Sequence, residues 1–210
     1  FVITSPPYNK HSAKRKADKS DAWKKANISY NNFKDDLPED IYQKQQIELL
    51  NELVRLIKPK GSIFYNHKAR IKNHKVILPT EWLHNFNIRQ VLIWDRTNTP
   101  QLSPIRWFPT TEYVYLITKT ATQPKFYKRS EHQMEVLRIP PKPNKQHPAP
   151  FTDTLVEVLM LNTTDEGDVV LDPYMGIGTV GVVVKKYNRK FIGIELDKDY
   201  FEIAKARINL

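Results

Sequence analysis

Segments typical of β-strands alternate with segments typical of helices along most of this chain. Strands are predicted where β-branched and aromatic residues dominate, over residues 1–4, 62–66, 89–95, 112–118, 169–171 and 191–194. Helices are predicted from apolar residues at helical spacing, over residues 38–57, 80–85, 151–161, 179–187 and 200–208. This alternation favours an α/β fold with a mixed, mostly parallel sheet and helices on both faces.

The size and composition of the chain limit the alternatives. Its 210 residues suit one domain, and an apolar content of 40% excludes a disordered polyelectrolyte. The absence of cysteine excludes a disulfide scaffold, a thiolate metal site and cysteine catalysis. No apolar run approaches the roughly 20 residues that span a bilayer, so a soluble intracellular protein is expected. The first strand starts abruptly at Phe1, so we expect further residues before it in the gene.

The positive charge of the chain is concentrated in two stretches. The formal net charge is +10, and residues 10–25 and 119–145 each carry +5, so the remainder is neutral. Both stretches lack sustained apolar periodicity, and the second contains four prolines, which favours irregular structure. Two basic loops on a neutral scaffold fit a polyanionic partner, although lysine-rich loops are also common as merely solvated surface.

A glycine-containing turn follows the predicted strand at residues 169–171. Gly176 and Gly178 allow a sharp turn and a close approach of the backbone to a ligand, and the following helix offers a positive N-terminus. Glu195 ends the next strand, where a carboxylate can accept hydrogen bonds from ribose hydroxyls. Because Gly176, Gly178 and Gly181 also match the dinucleotide pattern, the turn indicates a nucleotide-type cofactor without separating NAD from S-adenosylmethionine.

A second motif follows the first predicted strand and contains Ser5, Pro6, Pro7 and Tyr8. Consecutive prolines fix two φ angles and remove two N–H donors, so a rigid turn whose carbonyls lack internal partners is expected. The Ser5 hydroxyl and the Pro6 carbonyl can accept hydrogen bonds from an amino group. The Tyr8 ring offers a stacking face for a base, worth roughly 1–3 kcal/mol. Taken alone, the prolines would more simply mark a loop.

Together the two motifs resemble those of the amino-methylating DNA methyltransferases. Residues 5–8 read Ser-Pro-Pro-Tyr, residues 172–179 read Asp-Pro-Tyr-Met-Gly-Ile-Gly-Thr, and residues 193–195 read Gly-Ile-Glu. The catalytic motif precedes the cofactor motif, as in the β group of that family, and residues 147–151 resemble its proline-containing segment. The resemblance covers residues 4–208. It implies a Rossmann-like, S-adenosylmethionine-dependent methyltransferase fold, with residues 1–210 forming a single catalytic domain.

The resemblance also implies a role for each motif residue. Ser5, Pro6, Pro7 and Tyr8 are expected to be catalytic, and to hold the amino group of a base flipped out of double-stranded DNA. No covalent enzyme intermediate and no metal are needed, which fits the absence of cysteine. S-adenosylmethionine is expected to be bound by seven residues: Asp172 near the methionine end, Glu195 on the ribose, Asp197 near the adenine, and Tyr174, Gly176, Gly178 and Thr179.

The basic stretches receive separate expectations from the resemblance. Residues 10–35 follow the catalytic motif as a basic loop that could fold over the DNA. Residues 119–146 occupy the place of a short target-recognition region. Lysine contacts to phosphates would supply affinity without sequence information.

Four residues after the second predicted strand are further candidates to face the site, namely Asn66, His67, Lys68 and Arg70. A structural role for His67 is an equal alternative, because no triad or metal-ligand spacing surrounds it. Trp94 is expected in the core.

The identity of the base that accepts the methyl group is predicted from Ser5. In the family that these motifs resemble, serine at this position is associated with cytosine N4 methylation and aspartate with adenine N6, so cytosine is favoured. Adenine stays as the alternative, since the serine hydroxyl accepts from either amino group. The expected enzyme is a site-specific DNA methyltransferase of restriction-modification type in the bacterial cytoplasm or nucleoid, with a homodimer and a cognate restriction endonuclease as further partners.

Three other functions explain fewer features. A methyltransferase acting on RNA or on protein glutamine usually places the cofactor glycines before the catalytic loop, opposite to the order here. An NAD-dependent oxidoreductase leaves residues 5–8 and the basic loops unexplained. A non-enzymatic DNA-binding module explains only the charge.

Overall fold

Strands and helices alternate in space as they do along the chain. The computed structural model describes residues 1–9, 35–99, 104–121, 123–132, 134–141 and 151–209. Its strands are β1 Val2–Thr4, β2 Ser62–His67, β3 Arg70–Lys72, β4 Lys75–Ile77, β5 Ile88–Asp95, β6 Thr111–Thr118, β7 Val136–Arg138, β8 Val169–Asp172 and β9 Lys190–Gly193. Its helices are α1 Glu39–Leu56, α2 Thr80–Leu83, α3 Asp153–Leu161, α4 Thr179–Lys186 and α5 Lys198–Ile208.

Seven strands form one sheet in the order β7-β5-β6-β2-β1-β8-β9. Strand β6 is antiparallel to both of its neighbours, β2 and β5, whereas every other pair in the sheet is parallel. The six co-directional strands end at what we call the carboxyl edge of the sheet and begin at its amino edge. The predicted mixed, mostly parallel sheet is therefore confirmed.

Helices cover both faces of this sheet, because successive strand residues point to opposite sides. Ile3 of β1 lies in a buried cluster with Leu155 of α3 and Val184 of α4. The preceding residue, Val2, lies on the other face in a buried cluster with Leu50 of α1. Two apolar cores thus fix the sheet between helices and hold the ends of its strands in place.

Some elements depart from the sequence patterns. The hairpin of β3 and β4 is missed, because its three-residue strands are rich in lysine and arginine; Asn73 and His74 turn it with positive φ angles of 49° and 63°. Strand β7 is missed within the proline-rich stretch. Trp94 is 3% exposed and lies in the core as expected. Among the described residues, no helix combines the length and apolar content needed to cross a bilayer.

Candidate active site

The two sequence motifs lie side by side at the carboxyl edge of the sheet. Residues 5–8 follow β1 and residues 173–178 follow β8, and these strands are parallel neighbours with Val2 opposite Leu171. From this pair the chain continues to opposite faces, since α4 packs on one side of the sheet and α1 on the other. Open α/β sheets bind their ligands in the crevice at such a point.

The side chain of Tyr8 is turned into the protein. Its ring is 6% exposed and lies against the ring of His67, with centroids 4.7 Å apart. Its hydroxyl oxygen lies 2.8 Å from Ser5 Oγ. Ser5 is half-buried. In this arrangement Tyr8 fixes the turn from within, and its expected stacking on a base stays a prediction.

The carbonyls of the two prolines differ in their surroundings. The Tyr42 hydroxyl of α1 donates to the Pro7 carbonyl at 2.8 Å, so the expectation that the carbonyls of this turn lack internal partners is wrong for Pro7. Within the part of the chain that the structure describes, no group donates to the Pro6 carbonyl. The turn therefore offers the Pro6 carbonyl and the Ser5 hydroxyl as its acceptors.

A buried carboxylate from another strand meets this turn. Glu112 of β6 is 5% exposed, and its Oε2 accepts from the Tyr8 hydroxyl at 3.0 Å and from Asn66 Nδ2 at 2.9 Å. Its Oε1 accepts from Arg96 Nη1 at 2.8 Å. Asn66 also donates to Ser5 Oγ at 3.3 Å and to the Tyr8 hydroxyl. We call these five residues the Glu112 network; Asn66 faces the site as expected, whereas Glu112 is not among the residues predicted from the sequence.

His67 and Arg70 have structural contacts here. His67 is fully buried, and its Nε2 lies 2.7 Å from the Tyr42 hydroxyl, which agrees with the structural alternative. Arg70 donates to both carboxylate oxygens of Glu39, at 2.8 and 2.6 Å, and its guanidinium lies over the Tyr42 ring. This pair attaches β3 to α1, and a contact of Arg70 with a ligand stays a prediction.

Asn9 joins the two ends of the following loop. Its side-chain amide donates to the Leu37 carbonyl at 2.9 Å, and its carbonyl oxygen accepts from the Leu37 N–H at 2.7 Å. Asn9 has a positive φ of 54°, which asparagine tolerates better than most residues. The predicted basic loop, residues 10–35, lies between these two residues, and residues 10–34 are outside the described part of the chain.

Asp172 ends β8 as a buried carboxyl group. It is 2% exposed, and its Oδ1 accepts from the backbone N–H of Tyr174 at 3.1 Å. Burial raises the pKa of Asp172 to about 7, with a smaller contribution in the same direction from the charge of Glu195. A nearby cation would favour the ionised form, so this carboxyl can respond to a charged ligand near neutral pH.

The glycine turn is tied to the end of the next strand by Glu195. Gly176 and Gly178 have positive φ angles of 52° and 80°, and Gly178 is the N-cap of α4. Glu195 Oε2 accepts from the Gly176 N–H at 2.8 Å, and Oε1 accepts from the Asp197 N–H at 2.9 Å. Each carboxylate oxygen can accept a second hydrogen bond, so Glu195 keeps acceptor capacity for ligand hydroxyls.

The remaining predicted cofactor residues lie around this turn. Asp197 caps α5, because its Oδ1 accepts from the N–H groups of Asp199 at 2.9 Å and Tyr200 at 3.1 Å. Tyr174 is half-buried and Thr179, the first residue of α4, is 6% exposed. The structure thus brings the seven predicted residues together at the ends of β8 and β9, and their contacts to a ligand stay predictions.

Gly181 has a packing function. A Cβ atom at this position would lie 2.6 Å from Phe191 Cε1 and closer still to Ile208 Cδ1. The third glycine of the dinucleotide-like spacing is therefore needed for the close approach of α4 to β9 and α5, as in folds where the third glycine serves helix packing.

Part of the second basic stretch lies at the amino edge of the sheet. Lys125 Nζ donates to Asp165 at 3.0 Å and to Asp168 at 3.3 Å, and Arg129 donates to Asp165 at 2.9 Å. These acids precede β8, at the amino edge of the sheet. The target-recognition region over residues 119–146 stays a prediction. Residues 122, 133 and 142–150 are outside the described part of the chain.

Comparison with known proteins assigns a family. A family model described as a DNA methylase, N6_N4_Mtase, matches residues 1–206. The chain is 26% identical over 243 residues to the Type II methyltransferase M.BglII of Bacillus subtilis, covering 97% of this chain and 62% of that protein. It is 32% identical over 174 residues to the Type II methyltransferase M2.LlaDCHI of Lactococcus lactis subsp. cremoris, covering 75% and 64%. The chain spans less than two thirds of these two relatives.

Solved structures agree with this result. The M1.HpyAVI-SAM complex superposes with a TM-score of 0.67 at 25% identity, covering 100% of this chain and 88% of that one. The cytosine-N4-specific PvuII DNA methyltransferase has a TM-score of 0.75 at 19% identity, covering 98% and 78%, and shows the shared fold alone. The predicted Rossmann-like fold is confirmed. From its family match over residues 1–206, the chain belongs to the DNA methylases, the family that its two motifs resemble.

Proposed function

We propose that this chain transfers the methyl group of S-adenosylmethionine to the exocyclic amino group of a base in double-stranded DNA, with N4 of cytosine favoured. Its membership of the DNA methylase family supports DNA as the substrate class. One observation carries the proposal: the parallel pairing of β1 and β8 puts the Ser5–Tyr8 turn next to the glycine turn. An amino group held by the Ser5–Tyr8 turn would lie beside a cofactor held by the glycine turn.

The catalytic problem is the weak nucleophilicity of the amino group, whose lone pair is delocalised into the ring. Hydrogen bonds from both N–H groups, to Ser5 Oγ and the Pro6 carbonyl, would favour a tetrahedral nitrogen with a localised lone pair. Methylation there would transfer the methyl carbon from sulfur to this nitrogen, and the nitrogen would lose one of its protons to solvent. Access requires the base to leave the stack, which costs a few kcal/mol.

The residues around the glycine turn fit S-adenosylmethionine. Asp172 is a buried carboxyl poised near neutral pH and would face the positively charged methionine end, whereas Glu195 would accept from the ribose hydroxyls. Tyr174, Gly176, Gly178 and Thr179 would line the same pocket, and Asp197 would approach the adenine through the end of α5. When bound, this cofactor supplies an electrophilic methyl group on a sulfonium. A relative of 25% identity has been solved with SAM, which supports the assignment.

Serine at position 5 supports cytosine as the acceptor base, and adenine N6 is the second candidate. The Ser5 hydroxyl accepts equally well from either amino group, so the same geometry would serve both. Homologues named Type II methyltransferases support a cognate restriction endonuclease as a functional partner, and a homodimer is part of the same proposal. Residues 10–35 and the carboxyl-edge end of the 119–146 stretch are proposed to contact the DNA.

The test uses purified protein, duplex DNA and S-adenosylmethionine labelled in its methyl group. We expect label in the DNA and, after digestion to nucleosides, N4-methylcytosine by mass spectrometry; N6-methyladenine would move the assignment to the second candidate. Transfer should be lost in Ser5→Ala and Tyr8→Ala and retained in Glu52→Gln, a control on the exposed face of α1. Absence of cofactor binding, or full transfer by Tyr8→Ala, would refute the proposed activity.

A further inference from the structure

Glu112 is a buried carboxylate for which the proposed reaction has no role so far. It is at the start of β6, the antiparallel strand, so it lies at the carboxyl edge where the catalytic turn also lies. In the register of β5 and β6 it is opposite Trp94, and its side chain reaches the Ser5–Tyr8 turn. The carboxylate approaches to 3.0 Å from the hydroxyl of Tyr8, which in turn lies 2.8 Å from Ser5 Oγ.

The direction of these hydrogen bonds follows from the number of protons. A tyrosine hydroxyl has one proton, and an ionised carboxylate only accepts. Because Tyr8 donates its proton to Glu112, the hydrogen bond between Tyr8 and Ser5 must be donated by Ser5. The Ser5 proton therefore points toward Tyr8. Asn66 donates to one lone pair of Ser5 Oγ at 3.3 Å, and the other lone pair remains for a further donor.

The charge of Glu112 is supported by its neighbours. Arg96 donates to Oε1 at 2.8 Å, and Asn66 donates to Oε2 at 2.9 Å. A buried carboxylate is costly unless it is paired and hydrogen-bonded, and these donors satisfy that condition. Hydrogen bonds to an ionised acceptor are roughly twice as strong as neutral ones, so the carboxylate dominates the orientation of the Tyr8 hydroxyl.

We propose that Glu112 is a positioning residue that makes Ser5 an acceptor, by holding the proton of the Ser5 hydroxyl away from the target amino group through Tyr8. This inference rests on the proposed function. A serine hydroxyl that is free to rotate would present its own proton to the amino group part of the time. Fixing that proton toward Tyr8 lets the neutral serine act as a hydrogen-bond acceptor. Glu112 itself makes no contact with the acceptor base.

The test is the substitution Glu112→Gln, which keeps the shape of the side chain and removes its charge. We expect the rate constant of methyl transfer at saturating substrates to fall by about tenfold or more, the size typical of losing a charge-assisted hydrogen bond. The dissociation constant of S-adenosylmethionine and the KM for DNA should stay within about twofold of wild type. Glu52→Gln, an exposed glutamate of α1, serves as the matched control and should behave as wild type.

A double-mutant cycle separates this mechanism from a merely structural role. If Glu112 acts through Tyr8, then Tyr8→Phe should lower the rate by a similar factor, and adding Glu112→Gln to Tyr8→Phe should change it by less than about twofold. Multiplicative effects of the two substitutions, or an unchanged rate in either single variant, would overturn the proposal. If Glu112→Gln does not fold, Tyr8→Phe alone tests the proposal. A lower transfer rate with unchanged affinity for S-adenosylmethionine would support it, and an unchanged rate would overturn it. An inactive wild-type protein would instead refute the proposed function.

Discussion

The carboxylate of Glu195 accepts the backbone N–H of Gly176 at 2.8 Å, although 19 residues separate them. This bond connects the turn after β8 to the end of β9, and the other oxygen of Glu195 accepts from the N–H of Asp197. One side chain therefore shapes both walls of the proposed cofactor site. A change at Glu195 should affect cofactor binding both directly and through the turn.

Glu195→Gln is predicted to weaken S-adenosylmethionine binding by at least about tenfold. The amide keeps one acceptor, but its NH₂ group replaces an oxygen that now accepts from a backbone N–H, so one donor loses its partner. Isothermal titration calorimetry gives the dissociation constant. Glu202→Gln, on the exposed face of α5, is the control and should bind normally. Equal affinities in wild type and Glu195→Gln would contradict the ribose assignment.

The raised pKa of Asp172 predicts a pH-dependent stability. The folded protein holds this proton up to about pH 7, whereas the unfolded chain releases it near its ordinary pKa of 3.8. The folded state thus binds more protons between these values, so the stability contributed by Asp172 decreases as the pH rises from about 4 to about 7 and is constant above. Urea unfolding of wild type and Asp172→Asn measures the difference. A difference that does not decrease across this window would contradict the assignment.

Gly181→Ala is predicted to destabilise the fold by about 1–3 kcal/mol, the usual range for overpacking. Alanine improves helix propensity by up to about 1 kcal/mol, but its Cβ would overlap Phe191 and Ile208, so crowding should outweigh propensity. Urea unfolding checks the sign. Ile208→Ala removes one of the two side chains that the new Cβ would overlap. Gly181→Ala should therefore cost less stability in the Ile208→Ala background than in the wild type. A Gly181→Ala variant more stable than wild type would show that the packing adjusts.

Two residues of the second basic stretch should differ in their contribution to DNA binding. Arg138 is at the carboxyl edge, with a side chain that is 79% exposed and a loose 3.7 Å pair to Asp95. Lys125 is bonded to Asp165 and Asp168 at the amino edge. The slope of log affinity against log salt should fall by about one in Arg138→Gln, as for the loss of one phosphate contact, and stay unchanged in Lys125→Gln. Equal slopes in the two variants would mean that position on the sheet does not decide DNA contact.

The motif residues were predictable because each motif is continuous in sequence. Ser5 to Tyr8 and Asp172 to Thr179 follow strands whose apolar residues are evident, so their place at the ends of strands could be inferred. That these two strands are neighbours is known only from the structure. Glu112 could not be inferred, since it meets Tyr8 across 104 residues and only through the register of β6. A shift of one residue in that register would turn it to the other face of the sheet.

The charge pattern predicted basic loops but not where each would lie. Lys125 and Arg129 follow β6, and the reversed direction of that strand takes them to the amino edge. Nothing in the local sequence specifies this reversal, which depends on β6 pairing between β2 and β5. Likewise, the sequence around Arg70 does not indicate that it pairs with Glu39, because the two residues are 31 positions apart.

The double hydrogen bond between Asn9 and Leu37 brings the two ends of the intervening segment together. Because these ends are held together, doubling the length of a flexible segment between them would add only about 0.6 kcal/mol of loop-closure entropy. The Ser5–Tyr8 turn precedes Asn9 and is held by side chains outside this segment, namely Tyr42, Asn66 and Glu112. We expect that a segment of other length or charge can be grafted between Asn9 and Leu37 without opening this closure, which gives a direct way to test the proposed contact of residues 10–35 with DNA.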